Sequence, residues 1–152
     1  MSKKFPFNIL SKEEINQLKN KIAEVEKNTL CEIVLSIKEK RGLFEKKKSI
    51  VELAQREFVK AKIAQTSQST GVLIFILFSE RQFYILPDNK ILEYLDNEFL
   101  QKLADEMSEK FRLGNYFSGL MDFIDKIGEV LKDKFPVKSE NKNELPDDIR
   151  FN

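Results

Sequence analysis

Histidine is absent from the 152-residue sequence, and cysteine occurs only once, as Cys31. Without histidine, a single chain cannot build a Ser-His-Asp or Cys-His nucleophile system, and it cannot bind zinc through imidazole. A single cysteine excludes an intrachain disulfide and a multi-cysteine metal site. Any chemistry would therefore use Asp, Glu, Lys, Arg, Tyr, Ser or Thr, with or without a hard metal ion.

Long apolar runs are also lacking. The longest, Val72 to Phe78, has seven residues, whereas a helix needs about 20 to span a bilayer. The amino-terminal stretch is interrupted by Pro6 and Asn8 and does not have the pattern of a signal peptide. With a net charge of +1, no strong field favours nucleic acid. We therefore expect a cytoplasmic protein that binds no nucleic acid and does not insert directly into membranes.

Helical and strand patterns alternate along the chain. Apolar residues recur at helical spacing within residues 11–28, 45–62, 97–111 and 115–134, and the first of these begins with the capping-box pair Ser11 and Glu14. Residues 31–37, 72–78 and 82–86 have the composition of strands. The second strand is apolar on both sides, which is typical of a strand inside a sheet. The run Lys46-Lys47-Lys48 would begin the second helix, either as a solvated face or as a phosphate-binding patch.

This order predicts an α/β protein: a single domain built as a three-layer α/β/α sandwich with a small mixed β-sheet. The first two predicted strands, joined through a helix, should be parallel. The third should be antiparallel to the second because only Ser79, Glu80 and Arg81 separate them. The domain is expected to cover residues 1–136, followed by a polar tail over residues 137–152 that lacks periodicity and is either disordered or draped over the surface.

Oxygen-bearing side chains are expected to gather at one end of this sheet. Glu80 and Asp88 flank the third strand, and eight extended residues span roughly 26 Å, so these two carboxylates cannot share an ion. Asp88 returns to the end where the second strand begins, and Glu32 begins the parallel first strand. The polar loop from Thr66 to Thr70 arrives at the same end, and Asn89, Glu93 and Asp96 follow it in sequence. Oxygen ligands suit calcium or magnesium, so we predict a metal site formed by Asp88, Glu32, Asn89 and Glu93.

Each of these residues also has a purely structural interpretation. Asp88 lies in a Pro-Asp-Asn sequence that suits a turn. Glu93 and Asp96 could favour the start of the next helix through its dipole, and Glu32 could be an exposed strand-end residue. Glu80 could pair with Arg81 across the tight turn, and Arg81 could otherwise anchor a phosphate. The sequence leaves these alternatives open.

The series "EKNTLCEIVLSI", "TGVLIFILFSERQFYILPDNKI", "FRLGNYFSGLMDFIDKIGEVLKDKFP" and "NELPDDIRF" resembles the TPM domain family, and in particular its short, stand-alone bacterial proteins. The resemblance covers essentially the whole chain. The chain departs from the family pattern at Cys31 and Lys90, where the family has glycine, and at Val34, where it commonly has arginine. Without glycine at position 90, the turn supplies few backbone carbonyls, so we expect only weak cation binding, on the order of 10⁻⁴ M.

The resemblance implies a mixed sheet between helices and a range of functions. The family is described as phosphatase-like, some members bind divalent cations such as calcium, and others are linked to repair or assembly of membrane complexes. We therefore expect a cation-binding or protein-interaction module without efficient catalysis, with a protein partner at a membrane complex. The alternative is a metal-dependent acid phosphatase acting on phosphate monoesters. Only the resemblance suggests an enzyme, because the sequence shows neither a phosphate-binding glycine loop nor an Asp-x-Asp nucleophile motif.

Overall fold

Residues 3–61, 70–137 and 149–152 are described by the computed structural model, and they form five helices and four strands. A 3₁₀ turn, Phe78–Glu80, separates the second and third strands. In chain order the elements are α1 (Lys12–Lys27), β1 (Glu32–Lys38), α2 (Ile50–Lys60), β2 (Gly71–Leu77), β3 (Gln82–Pro87), α3 (Asn89–Leu92), α4 (Asn97–Arg112), α5 (Tyr116–Lys134) and β4 (Ile149–Phe151).

The chain divides into two units: a helical unit of Met1–Cys31 and Leu92–Lys142, and a sheet unit of Glu32–Ile91 and Asn143–Asn152. In the helical unit, α5 packs against both α1 and α4. The predicted capping box starts α1: Ser11 Oγ accepts from the Glu14 N–H at 3.0 Å, and Glu14 Oε1 accepts from the Ser11 N–H at 2.8 Å. Gly114, between α4 and α5, has a φ of 83°, the left-handed geometry expected after a helix.

The sheet unit contains one mixed sheet with the strand order β3-β2-β1-β4. As predicted, β1 and β2 are parallel and β2 and β3 are antiparallel. All seven residues of β2 are buried, which confirms its place inside the sheet. The α/β class with a small mixed sheet is therefore confirmed.

Helix α2 covers one face of this sheet. Its apolar residues pack with alternate residues of β1, β2 and β3, because side chains on one face of a strand recur every second residue. The cluster consists of Val34, Leu53, Ala54, Ala61, Leu73, Phe75 and Leu77, with Ile50, Phe58, Tyr84 and Leu86 packed against it.

One predicted helix boundary differs clearly from the structure. Helix α2 begins at Ile50 and not near residue 45, because the Ser49 hydroxyl accepts from the Glu52 N–H at 3.1 Å and caps the helix there. The run Lys46-Lys47-Lys48 therefore lies in the preceding loop, and the prediction that it begins a helix was wrong. Residue 62, the predicted last residue of this helix, lies outside the described residues.

The carboxyl terminus holds an element that the sequence did not predict. Ile149–Phe151 form β4, which pairs in parallel with Leu35, Ser36 and Ile37 of β1. Residues 138–148 of the predicted tail lie outside the described part of the chain. The short helix α3 was also not predicted.

Candidate functional site

The predicted site residues Glu32 and Asp88 lie at the same edge of the sheet, on either side of Gly71. Glu32 of β1 is the register partner of Gly71 in β2. The Asp88 N–H donates to the Gly71 carbonyl at 2.8 Å. Two strand spacings amount to roughly 10 Å between the backbones that carry the two carboxylates.

These three positions belong to the face of the sheet that α2 covers. Val34, Leu73 and Leu86 all pack in the α2 cluster. Glu32, Gly71 and Asp88 are each two residues away from one of them, which is the spacing of one face. Because Gly71 has no side chain, no side chain on β2 separates the two acidic positions at this edge.

Glu32 is buried, with 4 % of its surface exposed, so the interpretation as an exposed strand-end residue was wrong. Its N–H donates to the Thr70 carbonyl at 3.3 Å, which fixes the start of β1 beside the start of β2. Burial of a carboxylate is costly unless hydrogen bonds, an opposite charge or a metal ion compensate it. The remainder of the predicted polar loop, Thr66 to Ser69, lies outside the described residues.

Asp88 combines a turn role with a buried oxygen. Its Oδ1 accepts from the Asn89 N–H at 2.8 Å and its carbonyl accepts from the Ile91 N–H at 3.0 Å, so the residue starts helix α3. Its Oδ2 is buried and has no hydrogen-bond partner among the residues that the structure describes. The turn interpretation is therefore correct for one carboxylate oxygen and leaves the other unexplained.

The other two predicted ligands are exposed. Asn89 is the first residue of α3 in the sheet unit. Glu93 belongs to the helical unit. Asp96 caps α4 by accepting from the Glu98 N–H at 3.0 Å, as its structural interpretation proposed. Within residues 3–61, 70–137 and 149–152, no group of three or more Asp, Glu, Cys or His residues is arranged to hold a metal ion.

The arrangement therefore fits a hard cation only in part. Two carboxylates, from Glu32 and Asp88, lie on one face on either side of Gly71, and the buried Oδ2 of Asp88 is an available oxygen ligand. Calcium accepts six to eight oxygen ligands and magnesium keeps several waters. These two residues could supply a minority of such a shell, with water completing it.

The opposite edge of the sheet is organised around Arg41, which the sequence did not single out. Arg41 Nε donates to Glu80 Oε2 at 2.5 Å, and Nη2 donates to Glu80 Oε1 at 3.2 Å. The hydrogen bond to Glu80 raises the pKa of the Arg41 guanidinium above its ordinary value. The alternative in which Glu80 pairs with Arg81 was wrong, because Glu80 pairs with Arg41. Arg81 ends the 3₁₀ turn with a φ of 52°.

A second group that the sequence did not reveal surrounds Glu57 on α2. Glu57 is 5 % exposed, and its Oε1 accepts from Arg150 Nε at 2.7 Å and from Asn152 Nδ2 at 3.1 Å. Burial alone would raise the pKa of Glu57, but the hydrogen bonds from Arg150, Asn152 and Ser36 and the charge of Arg150 lower it below its ordinary value. No sequence signal links residues that are 93 positions apart.

Comparison with known proteins places the chain in a family. The TPM domain family model, TPM_phosphatase, matches residues 6–130. The chain therefore belongs to the TPM domain family, as the sequence resemblance indicated. No curated protein matches the chain.

Two solved structures share the fold. The BA42 protein from the psychrophilic bacterium Bizionia argentinensis is 29% identical, with 100% of both chains covered and a TM-score of 0.87. The N-terminal domain of a protein from P. gingivalis is 15% identical, over 89% of this chain and 85% of that one, with a TM-score of 0.70. Among the described residues of this chain, none of the helices has the length and apolar character needed to cross a membrane.

Proposed function

We propose that this TPM domain is a divalent-cation-binding module without efficient catalysis, and that Glu32 and Asp88 hold calcium or magnesium at their edge of the sheet. The observation that supports this most directly is the buried Oδ2 of Asp88, which lacks a hydrogen-bond partner in the described part of the chain. A cation would compensate the desolvation of this oxygen. The protein partner at a membrane complex and the cytoplasmic location stay predictions.

The choice of calcium or magnesium over zinc follows from the ligand chemistry. Carboxylate and water ligands suit hard cations, whereas imidazole and thiolate suit zinc. The chain has no histidine, and its one cysteine, Cys31, is buried. Asn89 and Glu93 stay predicted ligands of the same ion. We expect weak binding, on the order of 10⁻⁴ M, because water would supply most of the coordination shell.

A titration with CaCl₂ and MgCl₂, followed in ¹H–¹⁵N amide spectra, tests this function. We expect saturable shifts centred on the amides of Glu32, Gly71, Asp88 and Asn89. Asp88→Asn should abolish them, because it removes the negative charge while leaving an oxygen to accept from the Asn89 N–H. The fold should persist, since a change at this partly exposed turn costs about 1 kcal/mol or less.

Two controls define the location of the site. Asp133→Asn removes one carboxylate charge from the exposed surface of α5 and should leave the titration unchanged. Glu80→Ala removes a carboxylate at the opposite edge of the sheet and should also leave it unchanged. Cation shifts that survive in Asp88→Asn but disappear in Glu80→Ala would show that the ion binds at the opposite edge of the sheet and not at the proposed one.

The metal-dependent phosphatase alternative has a separate readout. Release of phosphate from a monoester should stay near background with either cation, because the described sheet edge presents two acidic side chains and no histidine or thiolate nucleophile. Efficient release that requires Asp88 would overturn the non-catalytic module and favour the enzyme.

A further inference from the structure

The loop between β1 and α2, here called the Leu43–Phe44 loop and defined as residues 40–48, carries two large apolar side chains at its tip. Leu43 is 77% exposed and Phe44 is 89% exposed. They are the central residues of a turn closed by a hydrogen bond from the Glu45 N–H to the Gly42 carbonyl at 3.1 Å. Single exposed apolar residues are ordinary, but a consecutive Leu-Phe pair at the apex of a turn forms one apolar tip.

The tip is held in place by the Arg41 side chain. Besides the ion pair with Glu80, Arg41 Nη1 donates to the Glu45 carbonyl at 2.9 Å and to the Lys48 carbonyl. The Glu45 carboxylate closes the loop from the other side by accepting from the Gly42 N–H at 2.6 Å. The exposed pair therefore sits on an organised base, which lowers the entropy that a binding event would cost.

Exposed lysines flank the tip in sequence. Lys46 and Lys47 are exposed and occupy the centre of a second turn, which the Lys48 N–H closes on the Glu45 carbonyl at 3.0 Å. Residues 38–48 include six basic and two acidic residues and thus carry a net charge of +4, whereas the whole chain carries +1.

The two acidic residues of this segment reduce that field only in part. Glu45 is neutralised by Lys38 at 3.2 Å and Arg56 at 3.4 Å. Glu39 lies beside Lys40, which is exposed. The exposed charge nearest the apolar pair is therefore predominantly positive.

We infer that the Leu43–Phe44 loop is a contact site for an anionic lipid bilayer. Leu43 and Phe44 enter the boundary between headgroups and acyl chains, and Lys40, Lys46 and Lys47 face the phosphate and carboxylate groups of the lipids. Apolar side chains next to exposed lysines form the pattern that binds at anionic membrane surfaces.

Charge and shape favour a bilayer over a folded protein partner. The tip is a protruding turn and not a groove, and a lipid surface adapts to a protrusion without a matching pocket. The lysines lie on both sides of the apolar pair in sequence, so the positive charge flanks the inserting residues. Insertion by two side chains reaches only about 5–10 Å into the interface. This departs from the expectation of no direct membrane insertion, which rested on the absence of a signal peptide and of a long apolar run. It is also independent of the proposed cation site.

The chain contains no tryptophan, so Phe44→Trp places a single fluorescent reporter at the tip. Its emission should shift to the blue on addition of phosphatidylcholine vesicles that contain phosphatidylserine, and not with phosphatidylcholine alone. Leu113→Trp is the matched control, because Leu113 is also largely exposed, at 69%, but lies at the end of α4. Unchanged Phe44→Trp emission with both vesicles would overturn the inference.

Vesicle sedimentation separates insertion from charge attraction. Two double variants should each weaken binding to the anionic vesicles by about tenfold or more. The serine variant combines Leu43→Ser with Phe44→Ser, and the glutamate variant combines Lys46→Glu with Lys47→Glu. All four side chains are exposed, and circular dichroism should show the fold unchanged. If the serine variant binds as well as the unmodified chain while the glutamate variant does not, the contact is adsorption of lysines alone and the insertion is refuted. If both variants bind the anionic vesicles as well as the unmodified chain does, the site is refuted.

Discussion

At the scale of single residues, Gly128 of α5 packs closely against Val25 of α1 in the helical unit. A Cβ atom placed on Gly128 would lie 2.7 Å from Val25 Cγ2 and 3.0 Å from Val25 Cγ1. The valine is buried, and its branched side chain has few alternative rotamers. The absence of a side chain at position 128 therefore lets these two helices approach closely.

Gly128→Ala should destabilise the protein by up to about 2 kcal/mol, although alanine is the better helix former. Overpacking typically costs about 1–3 kcal/mol, and the gain in helix propensity offsets about 1 kcal/mol of that. Urea unfolding measures the change. In the double variant with Val25→Ala, the two losses should be less than additive, because the shorter side chain removes the clash. Strict additivity would show that this contact does not limit the packing.

Glu32 shows what a local sequence pattern misses at this scale. Its position at the start of β1 was predicted from the run of apolar residues after it. Its burial was not, because that depends on the parallel pairing with Gly71 and on the helix that covers the same face. From the sequence, the two acidic positions of the candidate site could be predicted to lie at one edge of the sheet. The burial of the Asp88 Oδ2 atom could not be predicted.

At the scale of elements, strong periodicity located the long helices and the three main strands to within one or two residues at most ends. The exceptions are boundaries and turns that side-chain hydrogen bonds determine and that hydrophobic periodicity does not report. Ser49 caps α2, and the turns that hold Lys46 and Lys47 depend on Arg41 and Glu80, which are 39 residues apart. Strand β4 has three residues, too few to show a periodic pattern. Besides its pairing with β1, it is held by the ion pair between Glu57 and Arg150.

Glu57→Gln should destabilise the protein by about 1–2 kcal/mol at pH 7. The substitution removes the negative charge that pairs with Arg150 and that accepts a hydrogen bond from Asn152. The loss stays small because the Arg150 side chain is 38% exposed and water screens the pair. Glu52→Gln, on the exposed side of the same helix, should cost less. Loss of amide protection at Ile149–Phe151 in Glu57→Gln would show that the pair holds β4.

The same pair predicts a pH dependence with a defined sign. The pKa of Glu57 in the folded protein lies below its ordinary value of 4.5, since hydrogen bonds from Arg150 and Asn152 outweigh burial. A lowered pKa contributes stability that is present above about pH 4.5 and is lost as the pH falls through the folded-state pKa. The difference in unfolding free energy between the unmodified chain and Glu57→Gln should therefore shrink in acid. A difference that stays constant down to pH 3 would contradict the ionised pair.

At the scale of the whole molecule, the net charge of +1 conceals an uneven distribution. The net charge of the whole chain predicted no strong attraction to nucleic acid or membranes, yet residues 38–48 carry a local excess of positive charge. The run Lys46-Lys47-Lys48 was predicted to begin a helix, so it was not related to the apolar pair before it. The turns that bring the two features together depend on side-chain hydrogen bonds that periodicity does not report.

The candidate cation site and the Leu43–Phe44 loop should act independently, because they lie at opposite edges of the sheet unit. Glu32 begins β1 and the loop follows its end, and seven strand residues span roughly 23 Å. That distance exceeds the screening length of about 8 Å at physiological ionic strength. Asp88→Asn should therefore leave binding to anionic vesicles within about twofold of the unmodified chain, as distant sites are usually additive. Lys46→Glu with Lys47→Glu should likewise leave the calcium titration midpoint within about twofold. Vesicle sedimentation without added cation and amide titration without lipid measure the two quantities separately. A change of tenfold in either cross-measurement would show that the two edges are coupled through the strands between them, and would replace two separate sites with one cooperative surface.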